Sequence, residues 1–297
     1  MPMIGRRWYV PWLFLAPALV LVAVVLWGPL ANTAVLAFTD ARALGGGRFN
    51  GLANFTRIGT DADFWQALMN TVLYLLVVVP ALVVLPLLLA TLVFAKVPGI
   101  GAFRAVFYTP VVASMVVVGL IFSWLLRSDG IVNAVLVRLR VVAEPLPFLT
   151  DSTLLLVSCM AVTIWKGLGY YMVIYLAALA NVPSDVIEAA TVDGAGPARR
   201  FWSITVPTVR PTMVLVGTLA AISAAKVFAE IYVMSDGSGG PGGDAKSMVF
   251  YIREVGLGVD GEIGYASALS LVLLAGTLVF SALSLRLRRR TGEGASA

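Results

Sequence analysis

At 297 residues, with 60 % hydrophobic and only 12 % charged side chains, the chain departs far from soluble proteins, in which about a quarter of residues are charged. It reads as a polytopic membrane protein whose net charge of +5 reflects membrane topology and not affinity for nucleic acid. Histidine is absent and the lone Cys159 lies in an apolar run, which excludes imidazole acid–base chemistry, histidine metal ligation, a disulfide framework and a thiolate metal cluster.

In chain order, a basic N-terminal segment 1–11 precedes six apolar stretches, each near or above the ~20 residues that a helix needs to cross a bilayer. The first, Trp12–Phe38, is much longer than the ~7–15-residue core of a secretory signal and lacks a clear small-residue cleavage site, so it reads as an uncleaved span. The second is Ala67–Ala95, where Pro80 and Pro86 each remove a backbone donor and predict a kink whose shape neighbouring helices fix. Ala105–Leu126, Thr153–Ala180, Thr212–Met234 and Gly264–Leu285 follow, and a basic tail occupies 287–297. The intervening outside segments Thr39–Gln66, Arg127–Ser152 and Ser235–Ile263 each hold under 30 residues, too few to bury a core of their own. They predict short lateral helices and a docking rim, with solute capture left to another polypeptide.

Lysine and arginine near span ends stay on the cytoplasmic side. With the N-terminus inside, Arg6, Arg7, Lys96, Arg104, Arg199, Arg200, Arg210, Arg286, Arg288, Arg289 and Arg290 are cytoplasmic, eleven basic groups against eight outside. Both termini then face the cytoplasm, as does the loop 181–210. The Arg286–Arg290 cluster reads as an orientation anchor.

That loop carries the most informative residues of the chain, Glu188-Ala189-Ala190-Thr191-Val192-Asp193-Gly194-Ala195, closed by Ile204-Thr205-Val206-Pro207. Pro183-Ser184 marks a helix start, with Asp185 and Glu188 where the helix dipole favours acids. Gly194 and Gly196 permit a reversal, and Pro197 suits the first turn of a second helix that carries Arg199, Arg200, Phe201 and Ile204 and is ended by Pro207 and Pro211. Small Ala189 and Ala190 admit a partner backbone, while the arginines remain at the lipid headgroups.

The Glu-Ala-Ala triplet, the glycine that follows after three intervening residues and the Ile-x-Val-Pro after nine more resemble the signature loop of the permease subunits of bacterial ABC importers, with Val206 in place of the usual leucine. Asp193-Gly194-Ala195 further resembles the carbohydrate type, such as permeases for maltose-like sugars and glycerol 3-phosphate, and implies a carbohydrate or a polyol phosphate as the solute. The opening Trp12-Leu13-Phe14-Leu15-Ala16-Pro17-Ala18 is similar to the first of the two permease types. The likeness runs from Trp12 to about Arg286. It implies an all-α permease domain over 12–286 with six transmembrane helices, the type I importer fold, in which Glu188, Ala189, Ala190, Asp193, Gly194, Ile204 and Pro207 form the docking loop for an ATPase subunit. It also implies a second, related permease, two ATP-binding subunits and an extracytoplasmic solute-binding protein as partners. ATP is then bound by the partner subunits, so this chain holds no cofactor and is not itself an enzyme.

Charges inside a span are costly and usually face a cavity or a partner. Lys166 in the fourth span and Lys226 and Glu230 in the fifth are the three here, and the spacing of Lys226 and Glu230 predicts one helix face on which they neutralise each other. Trp165, Tyr170, Tyr171, Phe228 and Tyr232 supply rings nearby for a sugar. Lys166, Tyr170, Lys226, Phe228 and Glu230 are accordingly the candidate path residues. Gly240–Ser247 has the spacing of a phosphate-binding loop except that Ala245 replaces the second glycine; it follows no strand, and it reads as a flexible turn. An ion-coupled transporter subunit is the alternative function, but such a chain would show internal repeats and broken helices around buried carboxylates, and Glu230 is the only acid within a span. An intramembrane enzyme lacks any apparent catalytic set.

Overall fold

The computed structural model describes residues 9–94, 97–259 and 261–293. Arg6, Arg7 and Lys96 of the orientation argument and the last four residues of the tail lie outside them. Among the described residues there is no strand, only two isolated β-bridges, and nearly everything else is helix. The chain forms two compact units.

The first unit spans 1–61 and 252–275. Its long helix α1 (Val10–Leu36) contains a π-helical turn at Ala23–Trp27 and buries none of its residues, as expected for a helix solvated by lipid. After it, the chain is held by Asn54 of α2 (Ala53–Ile58), whose side-chain amide donates to the carbonyls of Ala37 (2.9 Å) and Thr39 (2.8 Å). Arg57 pairs with Glu262 at 2.9 Å and lies 4.0 Å over the ring of Tyr265, whose hydroxyl donates to Asp61.

The second unit spans 62–251 and 276–297. Helix α3 (Ala62–Val93) runs without interruption through Pro80 and Pro86, so the prolines do not divide it. The third apolar stretch is not a single rod. It forms α4 (Ile100–Val112) and α5 (Met115–Leu125), bent by 98° at an extended Ala113-Ser114. Pro110 removes a backbone donor and the β-branched Val111 and Val112 follow it, which weakens the helix where it breaks. A short lateral helix α6 (Ile131–Arg138) is pinned by the fully buried Asn133, whose side chain bonds the backbone of Arg127 and Leu146. Helix α7 (Ser152–Leu179) is capped by Asp151, which accepts from the Leu154 amide at 2.8 Å.

Beyond the loop helix α8 (Ser184–Val192), the expected stop at Pro207 and Pro211 does not occur. One helical run, α9, extends over Pro197–Ala225, with a π-helical turn at Phe201–Thr205 that places Pro207 in the first turn of the regular helix that follows. A proline there forfeits little, because the π-helical turn already interrupts the regular four-residue hydrogen-bond ladder just before it. The run ends at Ala225, short of the predicted Met234, and α10 (Ala229–Met234) restarts after a non-helical Lys226–Phe228. Helix α11 (Met248–Leu257) and the final α12 (Ile263–Glu293) complete the chain. Among the described residues, five helices are long and apolar enough to span a membrane, six with the bent pair counted as one.

The core of this unit joins Tyr74, Val78 and Leu82 of α3 to Leu155, Met172 and Tyr175 of α7 and to Val209, Val216 and Ala220 of α9. Two glycines mark close approaches between helices. A Cβ on Gly169 of α7 would lie 2.1 Å from the carbonyl oxygen of Phe107 in α4, and one on Gly119 of α5 would lie 2.9 Å from Val233 in α10. The α4–α7 crossing is thus backbone against backbone, and the second segments of the two interrupted spans, α5 and α10, pair with each other.

Candidate functional site: a helical loop and an intramembrane cavity

The residues of the signature loop form two helical arms joined at a glycine. Ala190 to Ala195 closes the first arm with a Schellman pattern: the Gly194 amide donates to Thr191 (3.1 Å) and the Ala195 amide to Ala190 (2.9 Å). Gly194 has φ +78°, the left-handed conformation that a Cβ disfavours, and a Cβ built there meets nothing within 4 Å. Backbone conformation, not packing within this chain, demands glycine. Glu188, Ala189 and Asp193 are exposed, Ala190 is half-buried, and Val192 stands 88 % exposed beside them. On the second arm Ile204 is half-buried, Pro207 is exposed and Trp202 is 68 % exposed. Arg200 is half-buried, and its guanidinium donates to the Thr191 hydroxyl, tying the two arms together.

A second feature lies near the middle of α7, where a cavity of about 410 Å³ is lined by Leu82, Val111, Met115, Thr163, Lys166, Gly167, Tyr170, Tyr171, Leu219, Ser223 and Glu230. Thr163, Lys166, Gly167, Tyr170 and Tyr171 recur at the three- and four-residue steps that place side chains on one helix face. Of the five candidate path residues, Lys166, Tyr170 and Glu230 meet here. Lys226 and Phe228 do not line it. Phe228 packs instead in a ring cluster with Tyr232 (centroids 5.1 Å) and Phe250 (5.9 Å), and Trp165 packs on Phe122 (5.3 Å).

The predicted Lys226–Glu230 pair is absent: the helix ends between them, so their four-residue spacing no longer shares a face, and no ion pair joins them. Each cavity charge has another partner. Lys166 Nζ donates to the carbonyl of Val111 at 3.2 Å, among the last carbonyls of α4, where helix ends leave acceptors unsatisfied and favour cations. Glu230, in the first turn of α10, accepts from the Thr163 hydroxyl at 3.3 Å, and Thr163 lies 2.6 Å from the Tyr74 hydroxyl. Sequence reading missed Thr163 and Ser223 as lining residues. Their signal was available for Thr163, three residues before Lys166 on the same helix face, and hidden for Ser223 by the unforeseen break after Ala225.

The Gly240–Ser247 segment is not the flexible turn expected. Asn70 donates to the carbonyls of Asp244 (2.6 Å) and Lys246 (2.9 Å), and the Met248 amide donates to Thr71 at 2.9 Å. Ser247 donates to the Val227 carbonyl at 2.5 Å, so this pinned loop satisfies a backbone acceptor inside the break of the fifth span. The amides of Gly243, Asp244, Ala245 and Lys246 donate to carbonyls of the loop itself, so they are not free to cradle a phosphate.

A sequence model of the binding-protein-dependent transport system inner membrane component matches residues 62–293. The chain is 32 % identical to the lactose transport system permease protein LacF of Rhizobium radiobacter over 91 % of each chain. It is 31 % identical to the arabinooligosaccharides transport system permease protein AraP of Bacillus subtilis, over 96 % of this chain and 90 % of that one. It is likewise 31 % identical to the sulfoquinovosyl glycerol transport system permease protein SmoG of Agrobacterium fabrum, over 93 % and 89 %. Among solved structures, a chain of the bacterial alginate ABC transporter in complex with its alginate-bound periplasmic protein superposes with a TM-score of 0.80 at 22 % identity, covering 95 % of this chain and 94 % of that one.

Proposed function

The chain belongs to the family of binding-protein-dependent transport system inner membrane components, and from that premise we propose that it is the permease subunit of an ATP-driven importer for a carbohydrate. It is a multi-pass inner-membrane transport protein, and the names of the lactose and arabinooligosaccharide permeases support the solute class. The observation that carries the reading is a mechanical one. The second arm of the exposed Glu188–Pro207 loop continues as one helical run, α9, from Pro197 to Ala225, and Leu219 and Ser223 on that run line the cavity. A run of 29 residues spans about 40 Å at about 1.5 Å per residue. Movement imposed at the loop therefore reaches the cavity through covalent, hydrogen-bonded structure.

In this reading the loop faces the cytoplasm with both termini and docks into an ATP-binding subunit through Glu188, Ala189, Ala190, Asp193, Gly194, Ile204 and Pro207. Two such subunits bind and hydrolyse ATP, a second related permease completes the path, and an extracytoplasmic solute-binding protein delivers the solute. This chain then has no cofactor and no catalytic residues of its own. Lys166, Tyr170 and Glu230 line its half of the path, whereas Lys226 and Phe228 act at the adjoining break. The test is separation of the parts: the purified, reconstituted chain is expected neither to hydrolyse ATP nor to move solute, and both activities are expected to return with the partner subunits. ATP hydrolysis by the isolated chain, abolished by Lys246→Ala, would overturn the reading.

A further inference from the structure

The cavity holds one ammonium and one carboxylate that do not neutralise each other by contact. Lys166 is held by the Val111 carbonyl of α4 and Glu230 by the Thr163 hydroxyl of α7, and no nitrogen–oxygen approach within 4.0 Å joins the two charges. The remaining polar groups on the wall are hydroxyls, those of Tyr170, Tyr171 and Ser223 with Thr163.

We propose that this separated pair makes the cavity lining electroneutral, and that it selects a neutral, hydroxyl-rich solute against an acidic or a basic one. The proposal rests on the cavity being part of the solute path. A sugar hydroxyl both donates and accepts, so one hydroxyl of a neutral sugar accepts from Lys166 while another donates to Glu230, and neither charge is left without a partner. A solute carboxylate, sulfonate or phosphate is attracted by Lys166 but repelled by Glu230 in the same low-dielectric space, and a solute ammonium meets the reverse. At about 410 Å³ the cavity is within the size range of sites that take one small molecule, where a few placed polar groups set specificity. The separation matters for this reason: two charges in contact would satisfy each other and offer a ligand little, whereas two charges on different anchors present a donor and an acceptor at the same time.

The charge of the cavity is measurable without knowing the solute. In the complete transporter, the chain's one cysteine is removed by Cys159→Ala and a new thiol is placed on the cavity wall by Ser223→Cys or, independently, by Leu219→Cys. Each is treated with three methanethiosulfonates, the hydroxyethyl (neutral), sulfonatoethyl (anionic) and trimethylammonioethyl (cationic) reagents, and the rates on this chain are divided by those on a free small thiol. Local effects on thiol ionisation act on all three alike and cancel in the ratios. With Lys166 and Glu230 present, the two charged reagents are expected to agree within about threefold, since opposing fields offset. Lys166→Met is expected to favour the cationic reagent by roughly tenfold or more, and Glu230→Gln the anionic one by a similar factor, the change one unit charge about 10 Å away produces at an effective dielectric of about 20. A preference beyond roughly tenfold for either charged reagent before those substitutions, or ratios that neither substitution moves, would overturn electroneutral selection. Modification by none of the three, the neutral reagent included, at either position would show instead that the cavity is closed to water, and it would remove the path assignment beneath the proposal.

Discussion

Gly194 isolates the contribution of a single backbone angle. At φ +78° with open space around it, the position penalises any Cβ by about 1 kcal/mol through conformation alone, while nothing in this chain resists the added atoms. Uptake by otherwise unaltered cells is therefore expected to fall in the order Gly194, Asn, Ala, Val, because asparagine tolerates the left-handed region and valine least, with membrane insertion unchanged throughout. Equal uptake by Gly194→Val and by the unaltered chain would remove the turn from the coupling role. The cavity charges make a second prediction. Because Glu230 bonds Thr163 and Lys226 bonds neither, the losses from Lys226→Met and Glu230→Gln should add, whereas those from Thr163→Val and Glu230→Gln should not. A double-mutant cycle on assembly yield measures both pairs, and a non-zero coupling between Lys226 and Glu230 would reinstate the pairing that the sequence spacing suggested.

Among the elements, the helices were legible and their interruptions were not. Long apolar runs are sufficient to place Ala62–Val93 and Ser152–Leu179 within a few residues, since a bilayer leaves the backbone no alternative to helix. The π-helical turn that places Pro207 at the start of the regular helix leaves no mark in composition, and Pro211 lies inside that helix without ending it. The break after Ala225 contains neither glycine nor proline. It is supported from outside by the Ser247 hydroxyl on the Val227 carbonyl, a contact 20 residues away in the chain, so no local pattern announces it. Broken spans around a carboxylate, which were to mark an ion-coupled transporter, occur here in an importer permease; that feature alone does not separate the classes. Packing between elements is testable at Gly169: alanine there puts a methyl 2.1 Å from the Phe107 carbonyl oxygen, so Gly169→Ala is expected to destabilise the purified complex by about 1–3 kcal/mol, read as a lower melting temperature. Gly276→Ala in α12, where a Cβ meets nothing within 4 Å, should leave it unchanged or raise it slightly. The reverse ranking would show that the α4–α7 contact is not close-packed in the membrane.

At the scale of the whole molecule, composition excluded a soluble enzyme, and one polar island of helix-ending residues carried the family, because a membrane chain exposes such residues only where it meets water or a partner. The cavity is less legible, since Thr163, Lys166, Ser223 and Glu230 converge on it from two different spans. The central claim is that the loop at Glu188 converts ATP-driven movement of a partner into movement of the cavity. Proteoliposomes containing the complete transporter and its solute-binding protein test it directly, by comparing uptake of a labelled sugar driven by enclosed ATP with uptake driven by an imposed proton or sodium gradient. Uptake is predicted with ATP alone, unaffected by ionophores and lost when Gly194→Val uncouples the loop while the partner subunits still bind ATP. Uptake driven by the ion gradient without ATP, and indifferent to that substitution, would contradict the account.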